Sequence, residues 1–313
     1  MTNYRDARNY LLRHVYEEIR ASEPNLTDHG PRHIRDVQRN ALKLLPDRTT
    51  GTDGLSALEM YCLGMCILFH DTGNITGREG HEQNIGGIFD AARGTEASTR
   101  REKTLVTRAC NAHTGYASDG SRDTLRELSR EEPFEGERIR FREIAAILRF
   151  ADELAEGPHR TSDYRRQTDH YESSSRVHHE YASITHALID RHHERIVLAY
   201  EIRVDQSPEG RDQEEWLIEL MEYTLGRIRK LDQERRYATY YAPLLEPFKA
   251  TDVSFNFHCG EQVMDVDLPA LRLHDFTVPG TEAKPLDVKY PELSPSTLVP
   301  GLIRECQETK AEE

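Results

Sequence analysis

Long apolar runs are missing from this 313-residue chain, and so is any excess of positive charge. Charged residues make up 31% of it and the mean hydropathy is −0.73, so no segment is expected to span a bilayer. The opening residues, MTNYRDARNYLLRH, contain no apolar core of a signal peptide, and no secretory signal is expected. Cysteine is scarce. Cys62, Cys66, Cys110, Cys259 and Cys306 are odd in number and widely scattered, which predicts a reduced, cytoplasmic protein rather than a disulfide scaffold. The 41 Lys and Arg stand against 55 Asp and Glu, giving a net charge of −14. Such a surface repels phosphate backbones on average, so extended duplex nucleic acid is disfavoured as a partner while a small phosphorylated molecule is not.

What is present first is helical periodicity. An amphipathic stretch covers Tyr10 to Ile19, a stop is expected at Glu23-Pro24-Asn25, and a helix restarts near Pro31, a residue suited to a first turn. A surface loop at Thr49–Gly54 leads into an apolar helical run from Leu55 to Phe69. Cys62 and Cys66 fall on its apolar stripe with Leu58, Met65 and Phe69, which makes them core residues. Asp71 to Gly80, with three glycines, reads as a loop. Further helices are expected over Glu82–Arg93, Glu102–His113 and Glu137–Ala155. Beyond about residue 165 the pattern turns to strands at Ala182–Asp190 and Arg195–Val204, joined by a turn at Arg191–Glu194. A long helix, Glu214–Arg236, and a second strand pair, Asp252–Phe257 with Gln262–Asp267, complete a small α+β unit. The Pro-rich, acidic segment from Val278 to Glu313 is expected to be irregular or to wrap the surface. The division is therefore a mainly α domain over 1–165, an α+β C-terminal unit over 166–277 and a tail over 278–313.

The helical part carries the chemistry. His70-Asp71 ends the apolar Leu55–Phe69 run, and His33, His81, His113 and Asp152 flank it in sequence. His33 lies in line with Val37, Ala41 and Leu44, and so points to the buried side of its helix. Asp152 shares a stripe with Ala145, Leu148 and Ala155, where a core residue belongs. A buried carboxylate without a partner is costly, and a cation is a common remedy. Any one of these residues alone has an ordinary structural explanation; Asp152, for instance, could pair with Arg149. Four imidazoles and two carboxylates together are enough to hold one or two transition-metal ions.

The ordered set resembles the HD-domain metal-dependent phosphohydrolase superfamily. The matches are His33-Ile34-Arg35-Asp36-Val37, Phe69-His70-Asp71-Thr72-Gly73 and Leu148-Arg149-Phe150-Ala151-Asp152. The segments DHGPRHI, HDTGN and GREGHE are similar to the branch found beside Hsp90-like ATPases in bacterial conflict systems. The resemblance runs from Leu26 to Glu156 and implies an HD-domain helical bundle, to which the α+β unit is appended. It implies His33, His70, Asp71 and Asp152 on a first metal; in the family's two-metal branches Asp71 bridges to a second, for which His81 and His113 match the completing histidines. His29 competes as a ligand, but it precedes Pro31 and is ranked as a residue behind the ligands. Where many relatives carry Lys after HD-x-G, Asn74 stands here, so Arg78 in the same loop is the candidate to offset phosphate charge.

Several functions fit that resemblance. The leading expectation is hydrolysis of a phosphoester in a nucleotide-like substrate, with Asp71, Asn74 and Arg78 catalytic. The metals expected are Mn, Fe, Co or Ni before Mg, because imidazoles outnumber carboxylates. Alternatives are a phosphodiesterase or nuclease acting on cyclic or single-stranded nucleic acid, a di-iron oxygenase of HD fold, and a non-enzymatic metal-binding module. A homo-oligomer or a protein partner through the C-terminal unit is also expected. A histidine-rich group (His170, His178, His179, His186, His192, His193) and a second HD pair, His274-Asp275, have no ordered partners, and structural roles or coincidence are expected for them.

Overall fold

The computed structural model describes residues 2–22, 27–46, 54–77, 81–168, 170–274, 279 and 284–312, without the side chains of 20, 22, 81–83, 167 and 312. The expected stop at Glu23-Pro24-Asn25, most of the 49–54 loop and Arg78 lie outside these residues. The fold is mainly helical with a small C-terminal sheet region. Among the described residues no helix is long and apolar enough to cross a membrane.

Helices α1 (Thr2–His14) and α2 (Tyr16–Ser22) replace the single amphipathic stretch read at Tyr10–Ile19. Helix α3 (Pro31–Leu44) starts at a proline, whose fixed φ suits a first turn, and buries His33, Ile34, Val37, Ala41 and Leu44. Helix α4 (Ala57–Phe69) opens with a capping box: Glu59 N–H donates to the Ser56 side chain, and Ser56 N–H donates to Glu59 Oε2. Cys62 and Cys66 are buried in its core face, as read. The stretch after Asp71 is more ordered than a loop: Thr72–Thr76 forms a 3-10 turn packed on α2 and on helix α5 (His81–Arg93). Helix α6 (Arg100–Ala112) follows.

A hairpin then appears where a helix was expected to begin. Strands β1 (Glu132–Phe134) and β2 (Glu137–Ile139) pair antiparallel, and Glu135 and Gly136 both have positive φ, at 49° and 82°. Two consecutive positive φ values define the tight turn that matches strand twist. Helix α7 therefore spans Phe141–Glu153 rather than starting at Glu137. All but Arg142, Asp152 and Glu153 of its residues are buried, because it packs against α3, α4 and α6 on one side and a long C-terminal helix on the other.

After two short helices, α8 (Asp163–Gln167) and α9 (Arg176–Ile184), strands β3 (Thr185–Asp190) and β4 (Arg195–Arg203) form an antiparallel pair. Residues 182–184, read as strand, finish α9 instead. Helix α10 (Gln213–Tyr241) crosses over to β5 (Ala250–Cys259), which runs parallel to β4; β6 (Gln262–Val263) and β7 (Leu271–Leu273) add to β5. Thus α10 is shared: it covers the sheet region's own helices and also leans on α7.

Two expectations for the C-terminal part need correction. The segment after residue 284 is not irregular: α11 (Leu286–Lys289) precedes α12 (Pro295–Glu312), an 18-residue helix that packs on α10. Its prolines misled the reading, since Pro295 sits at the helix start, where its missing N–H costs nothing. Among the described residues its buried positions are Pro295, Val299, Leu302 and Cys306. The cysteines are not all free either. Cys259 at the end of β5 and Cys306 on α12 form a disulfide with their Cα atoms 5.5 Å apart, leaving Cys62, Cys66 and Cys110 as buried thiols. Separation in sequence had concealed that pairing.

Candidate metal centre

The HD pair stands at the C-terminal end of α4, where helix carbonyls lose their intrahelical partners. Side chains replace those partners one by one. His70 Nδ1 donates to the Ile67 carbonyl at 2.9 Å, Tyr16 Oη donates to Leu68 at 2.5 Å, and Thr72 Oγ1 donates to Phe69 at 2.9 Å. The first of these bonds fixes the His70 ring and leaves Nε2 turned into the interior.

His33 enters from α3 and Asp152 from the last turn of α7. His33 Nε2 lies 3.0 Å from Asp152 Oδ1 and 3.4 Å from Asp71 Oδ2. His70 Nε2 lies 3.3 Å from Asp71 Oδ2 and 3.4 Å from Asp152 Oδ1. One ligand atom from each of the four falls within 4.8 Å of every other. Despite these short distances, neither His33 Nε2 nor His70 Nε2 makes a hydrogen bond of regular geometry among the described residues. Two imidazole nitrogens and two carboxylates that converge without bonding one another are shaped around a common centre. These residues fit a divalent cation, and the nitrogen share suits transition metals. Asp152 is the open side, its side chain 27% exposed while the others are almost fully enclosed.

In the absence of an ion, charge redistributes within the cluster. Burial alone would lower the His70 pKa, but the Asp71 and Asp152 carboxylates override it and hold it well above the usual value. Burial likewise opposes ionisation of Asp71 and Asp152, and the surrounding imidazoles reverse this and push both well down. His33 is raised against burial by the same two carboxylates.

Other candidates occupy distinct positions. His113 caps α6, its Nδ1 donates to the Cys110 carbonyl, and its Nε2 sits 3.8 Å from Asp71 Oδ1, the carboxylate oxygen facing away from His33. Burial and the neighbouring His70 lower its pKa to about 4, so it is neutral at pH 7. His29 Nδ1 is 2.9 Å from Asp71 Oδ2, and its Nε2 faces Arg160 Nη2 at 3.3 Å. An arginine can only donate, so Nε2 accepts and Nδ1–H donates to Asp71. Asn74, in the 3-10 turn, is buried with its carboxamide oxygen unpartnered. His81 begins α5 and its side chain lies outside the described residues, as does Arg78.

The histidine-rich group is dispersed. His179 stacks on Tyr171 at 3.5 Å and bonds Thr161, while His193 pairs with Asp190 in the β3–β4 turn. Of this group, His178 alone lines the cleft at the metal cluster, beside Tyr223. Sequence reasoning did not single out Arg160, which braces His29, or the α10 side chains Arg227 and Lys230 at the cleft wall. All three lie beyond the motifs, and only the packing of α10 brings the last two near. Asp275 of the second HD pair is outside the described residues.

A helical bundle with an HD pair at a helix end, and a His, His, Asp, Asp cluster around one point, defines an HD-type domain. The chain belongs to the HD-CE family, whose model matches residues 23–231, about two thirds of its length. No curated protein matches the chain.

Proposed function

We propose that this HD-CE protein is a metal-dependent phosphohydrolase that cleaves a phosphoester of a nucleotide-like substrate. The observation that carries the reading is the convergence of His33, His70, Asp71 and Asp152 with both inward imidazole nitrogens unbonded. A divalent ion held by these four supplies Lewis acidity and a more acidic water, at neutral pH. The chain's own residues do the rest. His70 is fixed by the Ile67 carbonyl, and His29 orients Asp71. Asp152 faces a cleft of about 310 Å³, which is where a phosphate would approach. Asn74, on the rim of that cleft, is assigned to the non-bridging phosphate oxygens, with Arg78 as the second group for that charge. His113, neutral and beside the far oxygen of Asp71, is assigned with His81 to a second ion. The unit over 166–277 and the segment after it are assigned to contact with a protein partner or a second copy of the chain.

The test is a panel of phosphomonoesters, phosphodiesters and nucleotides, assayed in oxygen-free buffer with Mn, Fe, Co, Ni or Mg. Metal-dependent product release that disappears in Asp71→Ala supports the reading. Inactivity throughout the panel, with turnover appearing only when dioxygen is admitted, rejects it in favour of oxygen chemistry.

A further inference from the structure

We propose that the metal centre is flanked by a second anion subsite, built on Arg32 and Arg35, which selects substrates carrying a chain of two or more phosphates. The inference rests on the phosphohydrolase reading and narrows its substrate class.

A second cleft, of about 620 Å³, adjoins the one at the metal cluster. The two share Thr27, His29, Asn74 and Arg160 as a common sill, so a ligand reaching the metal ligands from one cleft can extend into the other. Their charge differs. In the 310 Å³ cleft, Arg149, Arg160, Arg227 and Lys230 are each paired with a glutamate, and Arg122 donates to the Tyr116 hydroxyl. The 620 Å³ cleft is lined by Arg32, Arg35, Arg160 and Arg165, and among the described residues its acidic lining is Glu17 and Asp28. Asp28 already accepts the Gly30 N–H at 2.9 Å. Arg32 and Arg35 are exposed and make no ion pair among the described residues. Arg32 and Arg35, on a chain of net charge −14, lie beside a cluster that could hold a cation.

Helix geometry couples this cleft to the centre. Arg32 and Arg35 are three residues apart and share a face, while His33, between them, turns inward to the ligand cluster. The first turn of α3 has no side-chain cap, and Pro31 borders the cleft, so the positive end of the helix adds to the field there. Asn74 supplies the link. It is 3% exposed, lines both clefts and has an unpartnered carboxamide oxygen, so an end of its amide is free to meet a bridging group on the sill. A single phosphate at the metal centre leaves the arginines unused. A di- or triphosphate chain places its remaining charges on guanidinium forks, which suit phosphate oxygens.

The experiment is calorimetric binding to the full chain, with manganese in constant excess over every ligand. The ligands are orthophosphate, tripolyphosphate, a nucleoside monophosphate and the matching triphosphate. Tripolyphosphate and the nucleoside triphosphate should bind at least about tenfold more tightly than their one-phosphate counterparts. In Arg32→Ala/Arg35→Ala that preference should fall by about tenfold or more, on the scale of one or two charge-assisted hydrogen bonds. Arg272→Ala/Arg304→Ala, which removes two exposed arginines on β7 and α12, controls for net charge and should leave the preference unchanged. Preference for the nucleoside triphosphate alone identifies a nucleotide as the source of the chain; equal preference for tripolyphosphate identifies the phosphates themselves. Equal affinity for one-phosphate and three-phosphate ligands overturns the subsite, as does a preference that survives the double substitution. Turnover of a monophosphate without any such preference leaves the hydrolase reading standing and removes the subsite; preference without turnover does the reverse.

Discussion

Arg149 holds Glu234 with two parallel hydrogen bonds, Nε to Oε2 at 2.6 Å and Nη2 to Oε1 at 2.7 Å. The pair joins α7 to α10, and it leaves Asp152, three residues along α7, to the histidines. The arginine that could have neutralised Asp152 is engaged elsewhere. Arg149→Met should therefore destabilise the protein by about 2–4 kcal/mol, since it strands a mostly buried carboxylate. Metal content should not change. Urea unfolding and elemental analysis on the same preparation check both halves; intact stability with lost metal contradicts this assignment.

Glu59 gives the acid limb of stability a definite source. Burial raises its pKa, but Arg140 and the Ser56 N–H outweigh that and bring it down to about 2. A depressed carboxylate contributes stability above its unfolded value, near 4.5, and loses it as pH falls through the folded value. About 2–3 kcal/mol should disappear from this group between pH 5 and about pH 2. Glu59→Gln should be less stable at pH 7 and show a flatter decline over that interval in urea titrations. Parallel slopes for the two proteins contradict the pKa shift.

The Cys259–Cys306 bond closes a long loop, with 47 residues of sequence separation, between β5 and α12. Such a cross-link restricts the unfolded chain and typically adds about 2–4 kcal/mol. Cys306→Ser should lower stability by that amount in non-reducing buffer, and the two proteins should converge once reductant is added. Thiol titration in denaturant should find Cys62, Cys66 and Cys110 only; five reactive thiols in protein purified without reductant contradict the pairing and return the chain to the reduced state its composition suggests.

His29 is predicted to act through Asp71. Its Nδ1–H bond to Oδ2 sets the carboxylate's orientation, and Arg160 on Nε2 fixes the tautomer. Removing such a partner generally weakens metal affinity by about 10–100-fold. His29→Ala should do so while still binding metal at saturating concentration, as isothermal titration with Mn or Co will show. Complete loss of binding at saturation instead makes His29 a ligand.

Much of the helical frame was legible because its signals are local. Proline at the start of α3, the period that turns His33 inward with Val37 and Ala41, and the apolar run of α4 ending in His70-Asp71 all lie within a few turns of chain. The misses have physical causes. The β1–β2 hairpin depends on two positive φ values at Glu135-Gly136, and six strand residues carry too little pattern to outweigh the adjoining helix. Helix α12 was masked by its two prolines, of which Pro295 suits a helix start and Pro300 lies inside the helix. The partners of Asp71 and Arg149 come from residues 42 positions upstream and 85 positions downstream, so only tertiary packing reveals that one joins the cluster and the other leaves it. Asp152 was readable as misplaced in a core stripe; what it meets there was not.

His33, His70, Asp71 and Asp152 would hold one ion, and His113 with His81 is proposed to hold a second. Elemental analysis after loading with excess manganese and desalting tests this most directly, on wild type, Asp152→Ala and His113→Ala. The account predicts about two ions per chain in wild type, about one in His113→Ala, and close to none in Asp152→Ala, with all three proteins folded by circular dichroism. Wild-type protein that retains no metal, or Asp152→Ala that retains as much as wild type, contradicts it.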